Sequence, residues 1–178
     1  YADLRRQGFV ETVEKAGYHC HHPAPEDLAP QENWSRGLSR WIQSLPKPLA
    51  IMAPYDAIAR LVITRCIQND LSVPDELAVV GVDNDEVVCQ LSPVPVSSVA
   101  VAAERIGWEA ARILDDLING KPAPAQTTLI SPNCVVTRQS TDVLVIDDPQ
   151  VADAVRFIRN HADKLIQVQD VVNHVAIS

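Results

Sequence analysis

The chain has 178 residues, 47% of them hydrophobic and 21% charged, with a formal net charge of −8. That is room for one ordinary globular domain and a small appendage, and it excludes a disordered chain. An acidic balance also excludes a large nucleic-acid-binding face on this stretch, because phosphate contacts need clustered Lys and Arg.

No run approaches the ~18 apolar residues of a membrane span, and the opening residues do not read as a signal peptide. From Asp3 to Ala16, apolar side chains fall at Leu4, Phe9, Val10, Val13 and Ala16. That is helical spacing, with Gly17 placed as a C-terminal cap. Tyr18-His19-Cys20 reads as a short strand and residues 21–32, with three prolines, as a loop. The pair His21-His22 lacks companion ligands, so no metal site is expected there.

Trp34, Leu38, Trp41, Ile42 and Leu45 line one face of a second helix, and an aromatic stripe at this spacing predicts core packing. Pro46 and Pro48 end it. Leu49 to Ala53 is the next strand, Pro54-Tyr55-Asp56 a turn, and Ala57 to Ile63 the start of a strong helix for which Asp56 suits the N-cap. Val73 to Glu76 turns into Leu77-Ala78-Val79-Val80-Gly81-Val82, an apolar run that reads as a strand buried on both faces. The polar residues Asp83, Asn84 and Asp85 follow at once.

Strand and helix thus alternate with short connections, the pattern of a parallel sheet built from βαβ units. Ligands of such sheets sit beyond the carboxyl ends of the strands, where Asp56 and Asp83 fall. Two carboxylates on one rim can accept hydrogen bonds from several hydroxyls of a polyol. The same two residues also fit an N-cap and a turn.

Residues 91–99 hold two prolines and are predicted as an extended crossover rather than a central strand. Ala102 to Leu117 is a third helix, with Ile106, Ala110, Ile113, Leu114 and Leu117 expected inward and Gly120 ending it. Thr127 to Ile130 and Cys134 to Thr137 read as extended. Asp147-Asp148-Pro149 then starts a helix running from Gln150 to His161, with Val151, Val155, Ile158 and Ala162 expected inward. A shorter helix follows at Val168 to Val175, and Ala176-Ile177-Ser178 reads as a turn ending in an N-cap serine. The four cysteines, Cys20, Cys66, Cys89 and Cys134, include no CxxC pair. Cys66 and Cys89 lie in apolar surroundings and read as reduced core residues of a cytosolic protein.

The block "IMAPYDAIARLVITRCIQNDLSVPDELAVVGVDNDEVVCQLSPVPVSSVAVAAERIGWEAARILDDLINGKP" resembles the effector domain of LacI-type repressors. It is more similar still to the xylose operon activators, which join a periplasmic-binding-protein-like sugar domain to an AraC-type DNA-binding domain. Two features carry that likeness: the acid-bearing "PYDAIAR", and "RQSTDVLVIDDPQVADAVRFIRNHADKLIQVQDVVNHVAIS", which matches the linker and the entry to the first AraC helix-turn-helix. The resemblance implies an α/β fold of the type I periplasmic-binding-protein kind, a parallel sheet sandwiched by helices. Residues 1–142 would be a partial effector domain, mostly its second lobe, with helix 102–118 from the first. Residues 143–178 would be the linker and the start of the helix-turn-helix, with Arg159 and His161 in the coupling segment.

What the family binds carries over residue by residue. Asp83, after "VGV", would clasp sugar hydroxyls, Asp56 would line the same cleft with Tyr55 beside it, and Arg5 of "YADLRRQGF" would be a ligand donor. Asn84 ranks second to these. The expected protein is a cytoplasmic, sugar-responsive transcription regulator that binds D-xylose or a related pentose. It would use no cofactor or metal, act as a homodimer without a membrane, and reach operator DNA through a region mostly outside this chain. The first lobe would precede Tyr1, so the natural protein is expected to extend beyond both ends. A transport-type sugar-binding protein of the same fold is the alternative, and the helical tail argues against it. An enzyme is the third class, and the chain has no GxGxxG, GxxxxGK[ST] or GxSxG motif to support it.

Overall fold

A computed structural model describes residues 2–23, 34–143, 146, 148–162 and 164–175. In chain order its elements are α1 (Ala2–Lys15), α2 (Trp34–Ser44), β1 (Leu49–Met52), α3 (Asp56–Gln68), β2 (Leu77–Val82), α4 (Glu86–Gln90), β3 (Ser97–Ala100), α5 (Ala103–Ile118), β4 (Cys134–Val136), a 3-10 turn at Gln139–Thr141, α6 (Pro149–Asn160) and α7 (Val168–Val175). They divide into two compact units, Tyr1–Asp142 and Val143–Ser178.

In the first unit the apolar run at 77–82 becomes β2, and the sheet is assembled around it. β1 pairs with β2 in parallel, Leu49 beside Leu77, and β3 pairs with its other side, Gly81 beside Ser98. β4 closes the order β1-β2-β3-β4 as an antiparallel edge. One face of β2 buries Leu77 and Val79 completely, against Ala59, Val62, Ile63 and Cys66 of α3. Leu38 and Ile42 of α2 join the same cluster, and Trp34 and Trp41 pack at its edge. The aromatic stripe is therefore core. Each of these aliphatic side chains contributes roughly 1.5–3 kcal/mol by leaving water.

Gly81 sets how closely α3 can approach the sheet. A Cβ there would overlap the Asp56 carboxylate and stand 3.2 Å from the Asp56 Cα and 3.3 Å from the Ala59 Cβ. Gly81→Ala is expected to destabilise the protein by about 1–3 kcal/mol, the usual cost of overpacking. A urea melt that keeps its midpoint would refute that.

Several expectations need correction. Tyr18 to Cys20 form no strand, and Thr127 to Ile130 enter no sheet. β3 is an interior strand where a crossover was expected: the prolines end at Pro95, so the amides of Ser97 to Ala100 remain available to the sheet. Its two serines are fully buried, and their hydroxyls are engaged by hydrogen bonds. Asp56 is not an N-cap; Tyr55 holds that position and Asp56 is the first residue of α3. The short helix α4, capped by the Asp85 side chain accepting from the Val88 amide at 3.1 Å, was not foreseen. The expectation of an inward face on helix 102–118 also fails within this chain, since α5 buries none of its residues and Leu114 is 58% exposed.

In the second unit, Asp148 caps α6 by accepting from the Gln150 and Val151 amides, and Pro149 opens the helix, as the residue order implied. The seam with α7 is built on Phe157 rather than on Val151 and Ile158, which are exposed. Rings of His161 and His174 stack on Phe157 with centroids at 4.3 and 4.4 Å. Residues 24–32 of the expected loop and the serine cap at 176–178 lie outside the described residues.

Candidate functional site

The loops after β1 and β2 emerge side by side because the two strands are parallel neighbours, and α1 lays an arginine across both. The Arg5 guanidinium donates to the Pro54 carbonyl at 2.5 Å and to Asp83 Oδ1 at 3.0 Å. Arg5 and Asp83 are thus brought together at the rim, 26% and 44% exposed. One supplies fixed donors and the other a carboxylate acceptor, the complement of a hydroxyl that both donates and accepts.

The backbone beneath this pair is strained. Asp83 has φ +107° and Asn84 φ +55°, a region that L residues other than Asn seldom enter. At Asp83 such a conformation costs about 1–3 kcal/mol and persists where the surroundings impose it. Here the surroundings are explicit. The Asp83 amide donates to the Val99 carbonyl at 2.9 Å, and the Asn84 amide donates to Ser98 Oγ at 3.0 Å. The Asn84 side-chain oxygen accepts from Arg138 at 2.8 Å.

Asp56 occupies a different layer. It is 2% exposed, and its two oxygens accept from the Asp85 amide at 2.7 Å and the Ser98 hydroxyl at 2.5 Å. Since Ser98 Oγ gives its one proton to Asp56, it receives the Asn84 amide as an acceptor. Asp56 therefore stands under the rim and braces the Asp83–Asp85 loop. Tyr55 is half-buried and makes no side-chain cap.

Burial followed by the Asp56 carboxylate pushes the Cys89 thiol up to about 11, and burial does the same for Cys66. Both are free and fully buried, matching the expectation of reduced core thiols, while Cys134 is exposed. A thiol reagent in native buffer should modify Cys134 and spare Cys66 and Cys89 until denaturant is added, because thiolate is the reactive form. Peptide mapping that finds Cys89 modified early would contradict this environment.

Sequence reading missed Ser98, Asp85, Gly81 and Arg138. The Ser97-Ser98 pair at the end of a proline-rich stretch carried no periodic signal. "RQST" stood only as the head of the stretch matched to the linker and carried no site signal, yet Ser140 is fully buried and donates to the Val79 carbonyl at 2.6 Å.

Comparison with known proteins fits this geometry. Residues 1–141 match the model of the periplasmic binding protein-like domain. The chain belongs to that family. The chain is also similar to curated transcription regulators. The xylose operon regulatory protein of Escherichia coli strain K12 is 41% identical over 100% of this chain and 46% of its own length. That of Haemophilus influenzae is 37% identical over 98% and 46%. A solved structure of a xylose-binding transcription activator, XylR, superposes with a TM-score of 0.69 and 39% identity over 84% of this chain and 40% of its own. The chain spans about half the length of the curated relatives it matches. These relatives bear out the resemblance and the fold class read from the sequence. Among the described residues no helix is long and apolar enough to cross a membrane.

Proposed function

We propose that this chain is the effector-binding portion of a sugar-responsive transcription regulator, and that D-xylose or a related pentose binds at the rim formed by Arg5 and Asp83. The observation that carries the reading is the strained Asp83–Asn84 corner, held open at the carboxyl end of β2 with a guanidinium laid against it. Asp83 would accept from sugar hydroxyls and Arg5 would donate to one. Asn84 and Tyr55 border this place, and Asp56 acts from below as a brace. Kinship with xylose operon regulatory proteins supports the pentose and the regulatory role. Sugar would favour one arrangement of the protein by its differential affinity for two states, and so alter the presentation of DNA-binding domains in a homodimer. In this reading residues 143–178 are the linker and the start of an AraC-type helix-turn-helix, the protein is cytoplasmic, and no catalytic step takes place.

A transport-type sugar-binding protein of the same fold is the weaker reading. The match to the regulator from Escherichia coli continues through α6 and α7, since it covers the whole chain. Calorimetric titration of the natural full-length protein with D-xylose, L-arabinose, D-ribose and D-glucose tests the assignment. Saturable binding of a pentose is expected, and binding of D-glucose alone would overturn the pentose reading.

A further inference from the structure

Arg138 connects two places that are 54 residues apart in sequence. Its guanidinium donates to the Asn84 side-chain oxygen and, through its other terminal nitrogen, to the Val96 carbonyl, both at 2.8 Å. Its own backbone is clamped by Ser97, whose Oγ accepts from the Arg138 amide at 2.7 Å and donates to the Arg138 carbonyl at 3.0 Å. A serine hydroxyl has one proton, so the 2.6 Å contact between Ser97 and Thr141 is donated by Thr141. Ser140 completes the lock by accepting from the Ser97 amide at 2.8 Å and donating to Val79. The turn Gln139–Thr141 is therefore bonded to the sheet interior on one side and, through the Arg138 side chain, to the strained corner of the rim on the other. Asp142 ends the first unit immediately after it.

We propose that Arg138 is a positioning residue for the sugar site. It makes the Asp83–Asn84 corner and the Gln139–Thr141 turn one mechanical element, so that occupancy of the rim is read at the turn from which the second unit continues. The inference rests on the sugar reading above for its ligand, and on geometry alone for the link. Side chains of this kind transmit when both ends have discrete arrangements, which the proposal requires of the left-handed corner. Arginine suits the task because its planar fork satisfies two acceptors at fixed separation, which lysine cannot do.

Hydrogen–deuterium exchange on the natural full-length protein, read with and without D-xylose, tests the link. Without sugar, Arg138→Met is expected to speed exchange several-fold at the Asn84 and Asp85 amides, although these amides donate to Ser98 and Asp56 and not to residue 138. Unchanged exchange there overturns the link whatever the ligand. With sugar at saturation, the parent should gain protection at the Ser140, Thr141 and Asp142 amides. Arg138→Met should bind sugar, with weakened affinity, and gain no protection at the turn. Equal protection in parent and variant overturns the proposal. Arg138→Lys serves should the methionine variant fail to fold; it is expected to retain the fold and lose most of the turn's response, and a full response in it counts against the fork. Absence of calorimetric binding by the parent would instead defeat the sugar reading, and with it the signalling role, while the sugar-free comparison still decides whether corner and turn move together.

Discussion

Asp56→Ala is expected to lower the stability of the protein by about 2–5 kcal/mol, the largest loss from any single polar side chain described here. The carboxylate is almost fully buried and holds two donors, the Asp85 amide and the Ser98 hydroxyl. Truncation leaves an N–H without its acceptor and opens space under Gly81, at roughly 1–3 kcal/mol per unsatisfied group. The whole reserve of a domain is only about 5–15 kcal/mol, so this one change removes a large part of it. Asp56→Asn should cost less, since its carbonyl still accepts from one donor and the serine hydroxyl can turn to accept from the amide. An Asp56→Ala protein with an unaltered denaturation midpoint and slope would mean that the carboxylate does not brace the rim.

Asp83→Gly is expected to do the opposite: stability nearly preserved, the proposed sugar binding weakened. At φ +107° aspartate bears strain that glycine does not, and the relief of about 1 kcal/mol offsets glycine's larger loss of freedom on folding, which is of similar size. In the proposed site the carboxylate's bonds to sugar would be charge-assisted and worth about 1.5–3 kcal/mol, which corresponds to a Kd raised about 10- to 150-fold on their loss. The Arg5 ion pair at this half-exposed site adds little to folding, as exposed pairs generally do. A structural turn residue would give the reverse pattern, with affinity retained and the melting temperature moved. The contrast between Asp56 and Asp83 would separate a brace beneath the rim from a proposed contact on it.

Much of the fold was legible in the residues because burial and pattern agreed there. The run at 77–82 is apolar at every position, and α2 and α3 repeat their apolar residues at helical spacing, so each element announced its own partner face. β3 was lost because the two prolines before it argued against a central strand, and its buried residues are serines, whose polarity is compensated by bonds to Asp56, Asn84 and the Gln139–Thr141 turn that no local pattern encodes. For α5 the spacing identified a helix correctly and its environment wrongly, since periodicity reports an apolar face and not what covers it. At the site, Asp83 was legible from its position after β2, and Arg5 only through family likeness, because nothing local ties α1 to a loop 78 residues further on. The division of labour between Asp56 and Asp83 was out of reach. It depends on Gly81 and Ser98 standing side by side on adjacent strands, a consequence of register.

The proposed sugar site is the corner formed by Arg5, Asp83 and Asn84. Its most direct test is a nitrogen-15 NMR titration of the natural full-length protein with D-xylose, following the Arg5 Nε and the backbone amides of Asp83 and Asn84. These resonances are expected to move first and saturate together, with Ser98 following. Saturating shifts confined to other parts of the protein, with the Asp83 and Asn84 amides unmoved, would contradict the account.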